Sequence, residues 1–407
     1  MPTHALGPLL AARLDELAHS GRLKGREGVI RAVVPPSAGR GPRYLIEGED
    51  TPFLRMNSNG YLGMALRREV EAAEETAVKR YGTGPGAVRF ISGTFSPHVE
   101  LERRLAAFHD RPAAMLFSSA YAAVMGLLPP LTTEKTAVIS DALNHNCIIN
   151  AIALARPAEK RIYKHLDMSE LERELEQASK SCARAIVVTD GIFSMRGDHA
   201  PLDKIMTLVR RYDAAFAENA ILVVDDSHGV GAFGATGRGT EEYAGSGPAD
   251  VLVATLGKAF GVNGGYIVAD ETVIRYLRET SPTYVYSNPI TPAEAAAAHR
   301  AIDMLDSLEG TTLLAHLRAM TARFRAGLVE LDLETLPGEH PVVPLLLRDT
   351  ARTSALVAHL RRNGILATSL AFPVVPRGDE EIRFQISADH TAADIDAALD
   401  AIASFVG

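Results

Sequence analysis

Six short apolar runs, each continuous rather than alternating, constrain the fold of this chain more than any other feature. They are separated by stretches in which apolar residues recur at helical spacing. A strand buried on both faces has a continuous apolar run, whereas a strand with one solvent face alternates. The pattern therefore predicts an α/β fold, in which helices cover a mostly parallel sheet on both sides. The runs are residues 113–117, 137–139, 185–188, 221–224, 251–254 and 266–268.

The residues before these runs have a different pattern. Leu10, Leu14 and Leu17 recur at helical spacing and predict an amphipathic helix over the first twenty residues. The apolar stripe of such a helix needs a second surface, and a partner subunit is one. Proline and glycine make residues 31–54 turn-rich, as in an arm that leads into the main domain.

After residue 290 helices and isolated strands follow, which is typical of a smaller α+β domain. We therefore expect three regions: an N-terminal helix and arm (1–55), a large domain (56–290) and a small C-terminal domain (291–407). The elements predicted in the small domain are a helical region at 293–333, strands at 342–347, 365–371 and 382–386, a helix at 353–363 and a terminal helix after Thr391.

Composition argues against several classes of partner. The 407 residues carry a formal charge of -8 without a long basic block, which disfavours nucleic acid and anionic membranes. Cys147 and Cys182 lack the spacing of a metal site or a disulfide framework, so we expect no metal and two ordinary core thiols. No apolar stretch approaches the ~20 residues that span a bilayer, and no signal or transit pattern begins the chain. We expect a soluble, cytoplasmic protein.

Two of the strand ends carry residues that suit one cofactor. Lys258 follows the run at 251–254, and Asp225 and His228 follow the run at 221–224. A lysine can hold an aldehyde as a Schiff base, and a carboxylate beside a pyridine nitrogen keeps that ring an electron sink. His228 could donate to the ring oxygen. Together they predict a pyridoxal phosphate (PLP) site, although Lys258 taken alone could be a solvated loop lysine.

Further polar residues follow the other strands, at the sheet edge where ligands of α/β folds collect. Ser119, Ala120 and Tyr121 precede a helical pattern, so the helix N-terminus could hold the cofactor phosphate, or Ser119 could be an ordinary N-cap. His145 could stack on the cofactor ring or be structural. Ser194 is a possible second donor to the ring oxygen.

Arg383 lies at the start of the last predicted strand. A planar guanidinium suits a bidentate grip on a substrate carboxylate. A solvated arginine on an edge strand is the alternative from this segment alone.

With these residues placed, the chain resembles the α-oxoamine synthases, which are PLP enzymes of fold type I that join an amino acid to an acyl-coenzyme A. The resemblance runs from about Gly21 to the C-terminus. It is carried by the motifs at residues 59–63, 89–94, 98–102, 140–145, 190–195, 224–231, 255–260 and 286–288.

The resemblance implies a role for each candidate residue. Lys258 would bind the cofactor aldehyde and move the α-proton, while Asp225 pairs with the ring nitrogen. The remaining assignments are His228 and Ser194 to the ring oxygen, His145 to the ring face, Thr255 and the backbone at Ala120 and Tyr121 to the phosphate, Ser287 to the phosphate in the neighbouring subunit, and Asn59 and Arg383 to the amino-acid carboxylate. A homodimer with shared active sites follows from the role of Ser287.

Within the family, residues 89–94 and 372–378 resemble those of the 2-amino-3-ketobutyrate coenzyme A ligases, or glycine C-acetyltransferases. The 5-aminolevulinate synthases carry asparagine where this chain has Phe90, which offers no hydrogen bond to a succinyl carboxylate. Glycine and acetyl-CoA are therefore the favoured substrates. Gly60 and Arg196 depart from the family pattern, so a different substrate stays an alternative.

Several alternatives stay open. The chain could be a 7-keto-8-aminopelargonate synthase or a serine palmitoyltransferase, which use another acyl-CoA or amino acid. An aminotransferase of the same fold would complete a half-reaction with an amino acid alone. A non-catalytic subunit is the non-enzyme alternative, against which the presence of Lys258, Asp225, His228 and His145 argues.

Overall fold

The computed structural model describes residues 3–20, 22–23, 27–372, 375–376 and 378–406. Pro373, Val374 and Arg377, which belong to the segment 372–378 discussed above, lie outside the described residues. The N-terminal region contains helix α1 (Leu6–His19) and strands β1 (Ile30–Val34), β2 (Arg43–Ile46) and β3 (Leu54–Arg55). The predicted first helix is thus present, whereas the turn-rich arm contains an antiparallel hairpin of β1 and β2.

Helix α1 buries none of its residues within this chain, and Leu10 and Leu14 are 49% and 55% exposed. The arm, in contrast, is fastened to the C-terminal region. Arg43 forms an ion pair with Asp394, and the Gly41 N–H donates to the same carboxylate at 2.8 Å. The apolar stripe of α1 therefore stays uncovered while the arm behind it is anchored.

The large domain alternates strands and helices along the chain. Its strands are β4 (Ala113–Phe117), β5 (Thr136–Asp141), β6 (Glu159–Tyr163), β7 (Arg184–Asp190), β8 (Ala220–Asp225), β9 (Val251–Thr255) and β10 (Gly265–Ala269). Its helices are α2 (Arg68–Tyr81), α3 (Ser96–Phe108), α4 (Ala120–Leu131), α5 (Asn146–Ala155), α6 (Met168–Ala178), α7 (Leu202–Tyr212), α8 (Thr240–Ala244), α9 (Glu271–Thr280) and α10 (Pro282–Val285).

The seven strands form one sheet in the order β4-β10-β9-β8-β7-β5-β6. Strand β10 is antiparallel to both of its neighbours, and the other six strands run parallel to one another. The six predicted strands and the mostly parallel sheet are confirmed. The seventh strand, β6, was not predicted.

Successive residues of the central strands enter two different cores, which explains why their apolar runs are continuous. In β7, Ile186 and Val188 pack into the core beneath α4, α5 and α9, whereas Val187 packs into the core beneath α3, α6 and α7. All three side chains are fully buried.

The C-terminal region is α+β, as predicted. It comprises α11 (Pro292–Leu305), α12 (Leu308–Glu330), β11 (Val342–Leu346), α13 (Thr350–Arg362), β12 (Ile365–Leu366), β13 (Thr368–Leu370), β14 (Glu381–Gln385) and α14 (Ala392–Val406). Strands β11, β14 and β13 form an antiparallel sheet in that order, and β12 pairs in parallel with β3 of the arm. Because α11 packs against α2 and α3, the regions contact each other closely, and the boundaries at 55 and 290 stay predictions.

Candidate active site

A cavity of about 240 Å³ lies at the carboxyl edge of the large sheet. Nine of the thirteen residues predicted from the sequence line it, and Asn59, Phe90, Ser287 and Arg383 do not. The lining residues are Ser119, Ala120, Tyr121, His145, Cys147, Asp190, Ile192, Ser194, Asp225, Ser227, His228, Thr255 and Lys258.

Lys258 lies in the turn after β9, on the cavity wall. Burial lowers the pKa of its ammonium group, although the carboxylates of Asp225 and Asp190 oppose the shift. A lowered pKa makes the neutral amine easier to reach near neutral pH, and only the neutral amine is a nucleophile or a base.

The two carboxylates at the end of β8 have different surroundings. Asp225 lines the cavity, where it accepts from the Ser227 N–H at 3.1 Å and from the Cys147 thiol at 3.6 Å. Asp226 is fully buried and accepts from the backbone N–H and the hydroxyl of Thr240, each at 2.6 Å. Burial raises the pKa of Asp226 to about 7, although the two bonds from Thr240 oppose the shift. Only Asp225 is placed to meet a ligand.

His228 is held from two sides. Its Nδ1 lies 2.7 Å from the hydroxyl of Tyr61, and its backbone oxygen accepts from His340 Nε2 at 2.9 Å. Burial, together with the Lys258 charge, keeps the pKa of His228 well below its usual value. The ring is therefore neutral and fixed in place.

His145 caps the N-terminus of α5. Its backbone N–H donates to Asp190 Oδ2 at 2.9 Å, and its Nδ1 accepts from the Cys147 N–H at 3.3 Å. Burial lowers the pKa of His145, while Asp225 opposes the shift. Burial and the nearby Asp225 charge raise the pKa of Asp190 well above its usual range. Asp190 thus serves as an acceptor that positions the His145 backbone.

The N-terminus of α4 forms one end of the cavity. Ser119 is its N-cap, because its hydroxyl accepts from the Ala122 N–H at 3.1 Å, while its role at the cofactor phosphate stays a prediction. The first N–H groups of a helix have no partner within the helix, and those of Ala120 and Tyr121 belong to residues of the cavity wall. Such a terminus suits an anion.

A glycine on strand β10 lets the N-terminus of α4 pack close against the sheet. A Cβ atom at Gly265 on β10 would lie 2.1 Å from Ala120 N and 2.4 Å from Ser119 C. Gly265 pairs with Thr255 on β9, whose hydroxyl accepts from the Gly257 N–H at 3.1 Å. The Thr255 side chain is thereby directed to the same end of the cavity.

Arg383 contacts the cavity wall without lining the cavity. Its Nη1 donates to the backbone oxygen of Ser194 at 2.7 Å. Both the oxygen and the nitrogen of the Gln385 amide have hydrogen-bond partners when the oxygen faces Arg383. The oxygen then accepts from Arg383 Nε at 2.7 Å and from Arg383 Nη2 at 2.8 Å. In that orientation the amide nitrogen donates to Met56 O at 3.0 Å. Asn59 lies beside this region, with its Oδ1 3.4 Å from the Tyr61 hydroxyl.

Phe90 and Ser287 lie apart from the cavity of their own chain. Phe90 belongs to a single π-turn (Arg89–Gly93), is 68% exposed and borders a separate cleft of about 580 Å³. Ser287 follows α10, which contacts that turn, and donates to Asn288 O at 3.4 Å. The two residues therefore lie in segments that share one surface of the chain.

Sequence reasoning missed four residues of the cavity wall, Cys147, Asp190, Ile192 and Ser227, and three residues that support it, Tyr61, Gly265 and Gln385. Cys147, interpreted as an ordinary core thiol, is buried but also lines the cavity. Asp190 ends β7, so the rule that ligands collect at strand ends could have found it. No local signal marks Gly265 or Gln385, and although Tyr61 lies within the motif at 59–63, its contact with His228 joins distant parts of the chain.

The residues of the cavity fit PLP. The wall offers an amine at Lys258, a carboxylate at Asp225, a neutral imidazole at His228 and a helix N-terminus that no side chain at position 265 obstructs. Fold and cavity together define a PLP-dependent transferase of fold type I.

Comparison with known proteins leads to the same class. The family model for aminotransferase class I and II matches residues 51–402. The chain is 37% identical to an 8-amino-7-oxononanoate synthase from Thermosipho melanesiensis over 96% of both chains. It is 38% identical to the mitochondrial 2-amino-3-ketobutyrate coenzyme A ligase of Homo sapiens, over 89% of this chain and 84% of the relative.

Among solved structures, a serine palmitoyltransferase variant from S. paucimobilis with a bound PLP–myriocin adduct superposes with a TM-score of 0.85. It is 25% identical, and the match covers 97% of this chain and 96% of that one. The chain belongs to the aminotransferase class I and II family and, within it, to the α-oxoamine synthases. It is a PLP-dependent, acyl-transferring enzyme, as predicted. In the described part of the chain, no helix has both the length and the apolar composition to cross a membrane.

Proposed function

We propose that the enzyme condenses glycine with the acyl group of acetyl-CoA, or runs the reverse cleavage of 2-amino-3-oxobutyrate with CoA. The observation that carries this choice is the apolar side chain at position 90. The relatives named 2-amino-3-ketobutyrate coenzyme A ligase support it. An 8-amino-7-oxononanoate synthase is the second candidate, because relatives of that name are equally similar.

One end of the site holds the cofactor. When bound, PLP supplies an aldehyde that takes up an amine and a ring that withdraws electrons. In this proposal Asp225 holds the proton at the ring nitrogen, and His228 and Ser194 donate to the ring oxygen. His145 packs on the ring face. Thr255, the helix N-terminus at Ser119, Ala120 and Tyr121, and Ser287 of a second copy of the chain would hold the phosphate.

The substrate end binds the amino acid and moves its proton. Lys258, the one lysine on the cavity wall among the described residues, removes the α-proton once its amine is free. Asn59 and Arg383 hold the substrate carboxylate. Arg383 is hydrogen-bonded to the backbone of Ser194, so the residue that binds the carboxylate is connected to the residue that donates to the ring oxygen.

Phe90 selects the acyl group in this proposal. Its ring offers no hydrogen bond, so an acyl chain that ends in a carboxylate would leave a buried charge unpaired, at a large cost. Since Phe90 does not line the cavity of its own chain, it acts on the site of a neighbouring subunit.

A panel of substrates tests the choice. Glycine, alanine and serine would each be combined with acetyl-, succinyl- and longer acyl-CoAs, and thiol release would be followed. We expect glycine with acetyl-CoA to exceed glycine with succinyl-CoA by at least about a hundredfold in kcat/KM. Phe90→Asn should narrow that ratio, and Lys258→Ala should abolish turnover and the visible band of bound PLP while the fold remains. Equal use of the two thioesters would contradict the proposal.

A homodimer with shared sites completes the proposal. Besides Phe90, the neighbouring Ile91 and Tyr286 are 67% and 82% exposed, which is unusual for large apolar side chains. They lie in the segments that carry Phe90 and Ser287, and α1 offers a further uncovered apolar stripe. A two-fold interface would bury the same patch on both copies.

Mixing inactive variants tests the shared site. A heterodimer of Lys258→Ala and Ser287→Asp chains would gather both lesions in one site and leave the other wild-type, so activity should return. The aspartate is expected to repel the cofactor phosphate. Lys258→Ala mixed with Asp225→Asn is the matched control, since both lesions lie in the chain's own cavity and each heterodimer site keeps one. A fully active monomer by sedimentation would overturn the proposal.

A further inference from the structure

Tyr61 does not line the cavity, yet its hydroxyl makes the one hydrogen bond that the His228 ring forms among the described residues. We propose that Tyr61 is a positioning residue that keeps the proton of His228 on Nε2, the nitrogen left for the cofactor. The inference rests on the proposed function, because it concerns His228 as a donor to the ring oxygen.

The distances favour Tyr61 as the donor to His228. The Tyr61 hydroxyl has one proton and two acceptors in reach: His228 Nδ1 at 2.7 Å and Asn59 Oδ1 at 3.4 Å. A bond of 2.7 Å has the usual length for a hydroxyl donor, whereas 3.4 Å is weak. We therefore assign Tyr61 as the donor and Nδ1 as the acceptor. The position of a histidine proton follows from the bond at its other nitrogen, which places it on Nε2.

The protonation states agree with this arrangement. Tyr61 is fully buried, and burial raises the pKa of its hydroxyl far above the usual value, so the hydroxyl keeps its proton. His228 is neutral, since burial and the Lys258 charge hold its pKa well below its usual value. A neutral ring carries a single proton, and Tyr61 decides where it lies.

The neighbouring histidine fixes the backbone of His228 and packs against Tyr61. His340 donates from Nε2 to the His228 backbone oxygen at 2.9 Å and accepts at Nδ1 from the Val342 N–H at 3.1 Å. Its ring also meets the Tyr61 ring edge-on, with centroids 5.4 Å apart. Tyr61, His228 and His340 thus form one packed unit with defined hydrogen-bond directions.

The consequence concerns the cofactor. A ring oxygen that accepts hydrogen bonds needs a donor, and Nε2–H is one. The opposite tautomer, with the proton on Nδ1, would face the same oxygen with a lone pair and repel it. Tyr61 also contacts Asn59, the proposed carboxylate ligand, so one hydroxyl lies between the substrate end and the cofactor end.

Tyr61→Phe removes only the oxygen and leaves the buried ring in the core, so the fold should persist. Tyr266→Phe is the matched control. The Tyr266 hydroxyl lies 2.8 Å from His109 Nε2, and this buried tyrosine–histidine pair is not part of the cavity wall. Each variant loses one buried tyrosine–histidine hydrogen bond, but only Tyr61→Phe removes the bond to His228.

The first measurement is the ring ¹⁵N chemical shifts of histidine in the full chain with PLP bound, assigned with His228→Gln. We expect His228 of the wild-type protein to be protonated at Nε2 alone. Tyr61→Phe should show a protonated Nδ1 in part of the population, and Tyr266→Phe should keep the wild-type pattern. A wild-type His228 protonated at Nδ1, or an unchanged pattern in Tyr61→Phe, overturns the inference.

The second measurement is kinetic. Tyr61→Phe should lower the rate of glycine α-proton exchange by about tenfold, the equivalent of one hydrogen bond, while Tyr266→Phe leaves it unchanged. Equal effects of the two variants would reduce Tyr61 to a structural role. The ¹⁵N result does not depend on the acyl-CoA used, so failure of the substrate proposal would leave the tautomer readout intact.

Discussion

Replacing Gly265 with alanine tests where the cofactor phosphate binds. The added Cβ would lie 2.1 Å from Ala120 N and 2.5 Å from Ala120 Cα, far inside normal contact distance. Both are backbone atoms, so no side-chain rotation can relieve the clash. The N-terminus of α4 must move away from β10, and its free N–H groups move with it.

The expected magnitude follows from the bonds at stake. Overpacking of this kind costs about 1–3 kcal/mol of the free energy of unfolding. Loss of one charge-assisted N–H bond to the phosphate costs about 1.5–3 kcal/mol, so PLP should bind roughly 10- to 150-fold more weakly. The assay is a PLP titration of cofactor-free protein followed by visible absorption. Gly84→Ala, where the added Cβ has no atom within 4 Å, should bind PLP normally. Unchanged PLP affinity in Gly265→Ala would refute the phosphate site.

Three further outcomes are expected. Asp225→Asn should slow hydrogen–deuterium exchange at the glycine α-carbon by on the order of a hundredfold or more, measured by proton NMR, and near-normal exchange would contradict the role of Asp225. Burial lowers the pKa of His165, but bonds to Asp141 and Asp198 outweigh it and raise the pKa to about 9. Because the folded-state pKa exceeds the unfolded one, this contribution to stability is complete below pH 6.5 and is lost as pH rises through about 9. The loss is at most roughly 3 kcal/mol, and urea unfolding of His165→Gln should show a flatter profile over that range. Gln385→Leu removes the two hydrogen bonds that hold the Arg383 guanidinium. It should raise KM for the amino acid by about tenfold with a smaller change in kcat. An effect on kcat alone would argue against a role of Arg383 in binding the substrate carboxylate.

The central sheet could be predicted because its signal is local. Each buried strand is a continuous apolar run, because its side chains pack into the cores on both faces of the sheet. Strand β6 lacked that signal. Its residues Glu159, Lys160 and Arg161 are charged and partly exposed, because β6 is one of the two edge strands and pairs only with β5. Charge on an edge strand discourages pairing with other chains, and it also hides the strand from a search for apolar runs.

The cofactor residues could be predicted for a related reason. Parallel strands bring their carboxyl ends to one edge, so Lys258, Asp225 and His145 converge although they are far apart in sequence. The partners of these residues could not be predicted in the same way. Tyr61 reaches His228 across 167 positions of the chain, and the rule of strand ends does not apply to a segment outside the sheet.

The pair Asp225 and Asp226 shows what a motif leaves undecided. Adjacent residues at a strand end point to opposite faces, so only one of the two carboxylates can contact a ligand. The sequence alone does not show which one. Packing decides it, because a Cβ atom at Gly191, Gly229 or Gly239 would lie 2.0–2.2 Å from an oxygen of Asp226. Three glycines from separate turns therefore enclose the second carboxylate. Gly229 of the motif thus encloses the neighbour of the cofactor ligand, and the first aspartate is left to face the cavity.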